Sequence, residues 1–183
     1  GLMTLENQKM SKSVGNLIRI RDALEKYSAE VLRWTIFQVH YSSDLNFTHQ
    51  GFALSMRKLY YCYQTLKRSQ ELLDTGPSDD HHGASTEGYE AAFKEAMDDD
   101  FQIPRALVII NQIFQDLNEI LTRHGLKAPA RRGSIKPLLG LISDLGGVFG
   151  LFQRDAQEFL SEIHEKYLIK KNIELSFVMD AIR

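Results

Sequence analysis

The spacing of apolar residues predicts a chain that is helical over most of its length, with a short mixed segment at the start. Residues 17–20 alternate apolar side chains with arginine as a short strand does, and residues 21–27 have helical composition. Ser28 is placed to cap a helix in which Val31, Leu32, Ile36 and Val39 recur at helical spacing, with Trp34 and Phe37 widening the apolar surface. Residues 40–44 break that period as a turn, and Leu45, Asn46 and Phe47 make a brief extended piece. Thr48 is the next N-cap candidate, and the stripe Phe52, Met56, Leu59, Tyr60, Tyr63, Leu66 and Leu73 predicts one long helix stopped by Gly76-Pro77. Residues 78–85 are polar and read as a mobile loop, and residues 87–97 as a short helix.

The clearest period follows. Ile103, Ala106, Leu107, Ile110, Ile113, Phe114, Leu117, Ile120 and Leu121 share one helical face, which makes this segment the expected spine of a bundle. Gly125 ends it, and residues 127–133, with Pro129 and Arg131-Arg132, read as a connecting loop. Ile135, Leu138, Leu139, Ile142, Leu145, Val148 and Phe149 make the next stripe, in which Gly146-Gly147 weakens the helix and permits close packing. Asp155 is placed to cap a further helix through Phe159, Leu160, Ile163 and Tyr167, and residues 169–183 continue the helical tendency. The fold class expected is mainly α: a small mixed unit with a short strand over 1–48, then an antiparallel helical bundle over 49–183.

Composition narrows the class without changing it. Of 183 residues, 43% are hydrophobic and 25% charged, the balance of a globular protein, and no apolar run approaches the length of a membrane span. A single cysteine, Cys62, among apolar and aromatic neighbours, builds neither a disulfide nor a multi-cysteine zinc site within one copy and reads as a buried, inert thiol. The net charge of -2 conceals blocks of opposite sign. Residues 1–76 carry ten Lys/Arg against seven Asp/Glu, 77–101 one against eight, 102–154 seven against three, and 155–183 four against six. A polyanion is attracted to the first and third blocks and repelled by the second, so any RNA contact should be local.

Candidate chemistry is concentrated near the start. In Lys9-Met10-Ser11-Lys12-Ser13, followed by Val14-Gly15-Asn16, two lysines three apart stand among hydroxyl residues ahead of a glycine. Such a stretch suits a loop that folds over a polyphosphate, although composition alone favours a solvated surface loop. Asp98-Asp99-Asp100 has the look of a cation cluster, but three carboxylates ahead of a helix beginning near Pro104 complement its N-terminal dipole without a metal. The adjacent His81-His82 do not face one another on a helix and have no cysteine nearby, so a metal site there is not expected. Arg57, Lys58, Lys67 and Arg68 recur near ten-residue spacing on one helix, as phosphate contacts or as a solvated face.

The order of residues 9–13 matches the complete signature loop of class I aminoacyl-tRNA synthetases, and Val14-Gly15-Asn16-Leu17-Ile18 resembles its usual continuation. Arg21-Asp22-Ala23-Leu24, Glu30-Val31-Leu32-Arg33, His40-Tyr41 and Leu45-Asn46-Phe47 resemble the cysteinyl-tRNA synthetase family beyond that loop. Ala96-Met97-Asp98-Asp99-Asp100-Phe101, with Pro104 and Ala106-Leu107, resembles the start of a long helix in the family's helical domain. The resemblance implies activation of cysteine with ATP and Mg2+ to cysteinyl-adenylate, then transfer to tRNA(Cys). It implies Lys12 and then Lys9 as the catalytic cations, Ser11 and Ser13 as loop-orienting or phosphate-donating groups, and Met10 as an apolar anchor. Residues 1–48 become the signature loop and stem-contact unit, and 49–183 the tRNA-binding type of helical domain, with Arg57, Lys58, Lys67 and Arg68 as candidate tRNA contacts.

The family's paired-histidine ATP motif and its Cys, His and Glu zinc ligands have no counterpart in this sequence and are expected upstream of Gly1, in a nucleotide-binding domain that would be the intramolecular partner. The resemblance thus implies a C-terminal portion of a cytoplasmic enzyme, inactive and free of zinc by itself. Departures are local. Ser42-Ser43-Asp44 stand where the family often has Arg-Ser-Pro, Ile103 replaces the usual threonine before Pro104, and residues 170–179 fit the family's basic terminal helix poorly, although Asp180-Ala181-Ile182-Arg183 agrees. Two other functions fit the same residues: a stand-alone RNA-binding helical module, and the related ligase that joins cysteine to an amino sugar.

Overall fold

The computed structural model describes residues 1–11, 19–79 and 84–170, with side chains as far as Lys166. It opens on strand β1 (Met3–Leu5), which reverses into β2 (Gln8–Lys9). Leu5 pairs with Gln8, so only Glu6 and Asn7 form the turn, and both have positive φ, 48° and 65°. That is the sense of turn whose twist matches a hairpin. Neither strand was expected, because three and two residues carry too little alternation to register. The strand expected over 17–20 lies outside the described residues at 17 and 18, and Ile20 is helical instead, opening α1 (Ile20–Lys26).

Capping chemistry sets the next boundaries. Ser28 Oγ accepts from the Val31 amide at 3.3 Å and begins α2 (Ala29–Ile36). This helix stops three residues short of the expected Val39, where Gln38 and Val39 donate to carbonyls only three residues back. Strand β3 (Leu45–Phe47) then pairs parallel to β1, giving the order β2-β1-β3. Thr48 Oγ1 accepts from the Gly51 amide at 2.9 Å and begins α3 (His49–Leu73). Helices α4 (Glu87–Asp98), α5 (Ile103–Thr122), α6 (Ala128–Val148) and α7 (Ala156–Lys170) complete the described residues, with Asp155 Oδ1 accepting from the Glu158 amide at 2.9 Å, and the helical tendency expected over 169–183 lies outside them from residue 171 on.

The expected loop at 127–133 is a helix. Pro129 occupies the first turn of α6, where a missing amide costs nothing, and the two arginines tie that turn to the segments that close α5 and follow α3. Arg131 donates to the carbonyls of Leu121 and Arg123 at the end of α5, and Arg132 donates to the Pro77 carbonyl and Thr75 Oγ1 just beyond α3. Both helices therefore end at the start of α6, so α3 and α5 run parallel to one another and antiparallel to it. At Gly133 an added Cβ would lie 1.9 Å from the Asp79 carbonyl oxygen, so only glycine admits the incoming chain.

One core runs through the molecule. The α5 face is as expected, with Ala106, Leu107, Ile110, Ile113, Phe114 and Leu117 all buried. Around it pack Leu59 and Tyr63 of α3, Ile135, Leu138, Leu141 and Ile142 of α6, and Phe159 and Ile163 of α7. Tyr27, Val31, Trp34, Leu45 and Phe47 from the first 48 residues belong to the same cluster. Two expected stripe members face outward instead: Ile36, at the end of α2, and Val148, at the end of α6, where the chain leaves the packed face. The architecture is mainly α, with a three-stranded unit at the start.

Candidate functional site

The signature residues begin on a strand whose position is fixed from two sides. Lys9 closes β2 opposite Thr4 and is exposed, while Met10 is half-buried and packs against the core. Ser11 is half-buried, and Lys12 and Ser13 lie outside the described residues. The turn that delivers this strand is held by Asn46 of β3. Asn46 Oδ1 accepts from the Asn7 amide at 3.0 Å and from Thr4 Oγ1 at 2.8 Å, and its Nδ2 donates to Asn7 Oδ1 at 2.7 Å. On the other side the Glu6 carboxylate accepts from the His49 amide at 2.8 Å, seating the turn on the electropositive start of α3. Beneath lies an aromatic stack, Phe47 on Phe52 at 5.7 Å and Phe52 on Tyr27 at 4.4 Å between ring centres. The motif is plain in the sequence, whereas Asn46 and Glu6 are ordinary polar residues until the fold brings them to the turn.

The four basic residues of α3 do not act as one face. At 100° per residue, Arg57 and Arg68, eleven positions apart, point within about 20° of each other, whereas Lys58 and Lys67 lie on roughly opposite sides. Lys58 Nζ sits 5.1 Å from the centre of the Tyr61 ring, and Lys67 Nζ is 3.7 Å from Glu71. Lys67 and Arg68 also line a groove of about 620 Å³ between α3 and α7, shared with Tyr60, Glu71, His164 and Glu165. Arg57 and Arg68 are exposed.

The unit carrying the signature strand is fastened to the bundle at three places. His40 Nε2 lies 2.7 Å from the Asp100 carbonyl, which can only accept, so that nitrogen carries the proton, and Nδ1 faces Ser42 Oγ at 2.7 Å. Tyr41 donates to Asp100 Oδ1 at 2.6 Å. The acidic triplet thus supplies a docking turn between α4 and α5, with Asp100 at φ 51°. Lys166 of α7 donates to the Leu24 and Tyr27 carbonyls at the end of α1, at 3.0 Å each.

The third fastening was not foreseen. Glu30, 3% exposed, accepts from Tyr63 Oη at 2.7 Å and from the Phe152 amide at 3.0 Å, while Arg33, one turn later, donates to the Gly150 carbonyl at 3.0 Å. A glutamate in the first turn of a helix ordinarily reads as a dipole partner, and nothing local marks it as buried. Burial pushes its carboxyl above the ordinary value of 4.5, against the opposing hydrogen bonds from Phe152 and Tyr63.

Cys62 is fully buried, and burial pushes its thiol up to about 12, which leaves it unreactive. Among the described residues no three His, Cys, Asp or Glu side chains are grouped to hold a metal ion, and His81-His82 lie outside those residues. No helix among them is long and apolar enough to cross a membrane.

Two family models match the chain in order: tRNA synthetases class I (C) catalytic domain over residues 1–57, and DALR domain over residues 92–153. A cysteine–tRNA ligase of Anaeromyxobacter dehalogenans is 32% identical, the match covering 97% of this chain and 36% of that relative. Those of Pasteurella multocida and Syntrophotalea carbinolica are 34% and 32% identical, covering 87% and 100% of this chain and 32% and 38% of theirs. The chain thus spans about a third of the length of these curated relatives. Since the two models fall in sequence on the strand-bearing unit and on the bundle fastened to it, and the ligases match nearly end to end, the chain belongs to the cysteinyl-tRNA synthetase family.

Proposed function

We propose that these residues form the part of a cysteine–tRNA ligase that closes over ATP and meets the tRNA. The observation that carries the reading is the signature string at 9–13 on a firmly seated strand, in a chain whose relatives are cysteine–tRNA ligases. In the activation step the cysteine carboxylate attacks the α-phosphorus of ATP, the bond to the β-phosphate bridging oxygen breaks, and pyrophosphate leaves. Negative charge grows on the phosphorus oxygens and the leaving group in the transition state, so ammonium groups held there lower the barrier more than they tighten the ground state. Lys12 and Lys9 take that role, Ser11 and Ser13 orient the loop or donate to phosphate, and Met10 anchors it. The half-burial of Met10 against the core supports the last assignment. Mg2+ would travel with ATP, and zinc, if used, would be held by residues other than the described ones, so no step here runs through it.

The division of labour follows the chain: 1–48 for the signature loop and stem contact, 49–183 for the helical tRNA-contacting region, with Arg57 and Arg68 the stronger candidates because Lys58 and Lys67 already face Tyr61 and Glu71. In the full-length protein, Lys12→Ala should lower cysteine-dependent ATP–pyrophosphate exchange by on the order of a hundredfold, with the KM for cysteine little changed. Equal exchange by variant and wild type sinks the reading. Stimulation of ATP consumption by an amino sugar instead of tRNA would transfer these residues to the related ligase.

A further inference from the structure

We propose that Asn46 and Glu6 are positioning residues for the activation step, setting Lys9 against the phosphates through the Glu6-Asn7 turn. The inference rests on the reading above, in which Lys9 meets ATP. Lys9 is two residues beyond the turn, opposite Thr4 on a strand of only two residues, so whatever holds the turn also sets the register in which Lys9 is presented. Two consecutive non-glycine residues at positive φ persist only where their surroundings over-determine them. Here Asn46 supplies three hydrogen bonds to Thr4 and Asn7, and the Glu6 carboxylate fixes the turn to the first amide of α3. All of these hydrogen bonds are solvent-exposed, so the set adds little to stability. Its effect is on geometry. A catalytic cation displaced by about 1 Å loses much of its advantage in the transition state.

The test uses ATP–pyrophosphate exchange by the full-length protein, with Lys9→Ala as reference. Asn46→Ala should lower the rate on the order of tenfold and raise the KM for ATP, with the KM for cysteine and the melting temperature near wild type. Asn7→Gly keeps the left-handed turn and the backbone amide that donates to Asn46 Oδ1 but removes the Asn7 Oδ1 that accepts from Asn46 Nδ2, so it should move the same way, by a smaller factor, even if Asn46→Ala folds poorly. Glu6→Ala should behave like Asn46→Ala, and Glu6→Gln, which still accepts from the His49 amide, should restore activity. If the Asn46, Asn7 and Glu6 variants all match wild type while Lys9→Ala is impaired, the positioning role is wrong. A parallel rise in the KM for cysteine with a lowered melting temperature makes these residues merely structural and also overturns it. If Lys9→Ala itself is unimpaired, it is the functional reading of the signature residues that fails.

Discussion

Glu30 is the residue whose chemistry and location are most at odds. Its carboxylate is enclosed by α2, α3 and the corner before α7, where Tyr63, Phe152, Arg33 and Arg154 are the polar and charged groups that reach it. Because its folded-state pKa is raised, the stability it contributes is fully present below the ordinary value of 4.5 and is lost as pH rises through the shifted one. Glutamine is neutral throughout and can still accept from the Phe152 amide while donating to Tyr63. Glu30→Gln should therefore gain stability relative to wild type as pH rises from about 4 toward neutrality, in urea melts at matched pH. A difference that stays flat with pH sinks that account. Glu30→Ala leaves a buried amide and a buried phenol without partners and should cost about 2–4 kcal/mol. The caps at Ser28, Thr48 and Asp155 were legible because a cap is a local bond between residues three apart. Glu30 was not, because its partners lie 33 and 122 residues away.

At the scale of elements, helix ends and glycines decide the fit. Pro129, Arg131 and Arg132 made residues 127–133 look like a loop, yet the Arg131 guanidinium is held by carbonyls that α5 leaves without partners at its C-terminal end, and that of Arg132 by the Pro77 carbonyl and the Thr75 hydroxyl just beyond α3. Two glycines of α6 give opposite predictions. Gly133→Ala places a methyl 1.9 Å from the Asp79 carbonyl oxygen, a backbone atom that cannot swing aside, and should destabilise by about 1–3 kcal/mol. Gly140 is exposed with nothing within 4 Å of an added Cβ, so Gly140→Ala should stabilise by about 0.5–1 kcal/mol through helix propensity alone. Thermal melts that rank the two the other way would show that α6 does not approach Asp79 as described. The α5 stripe was readable because six of its residues point at the core with the period of an ideal helix. The hairpin was not, since strands of three and two residues carry too little pattern, and the bonds that hold its turn join Asn7 to Asn46 and Glu6 to His49, 39 and 43 residues away.

Across the whole molecule, the strand-bearing unit and the bundle share one core and are fastened by Glu30 and Arg33, by His40 and Tyr41, and by Lys166. The acidic stretch at 77–101 is expected to keep a polyanion away from α4, leaving Arg57 and Arg68 on the exposed side of α3 as its contacts. Arg57→Ala and Arg68→Ala should each weaken tRNA binding by the full-length protein and reduce the slope of log affinity against log salt by about one. Lys67→Ala, already facing Glu71, should change that slope much less, and equal slopes for all three would remove the distinction. The sequence by itself determined the helical class, most helix starts and the signature string, because each rests on residues within a few positions of one another. Only the tertiary structure decided which carboxylate is buried, what fastens the strand-bearing unit to the bundle, and what seats the strand that carries Lys9, since every one of those contacts joins residues far apart in the chain.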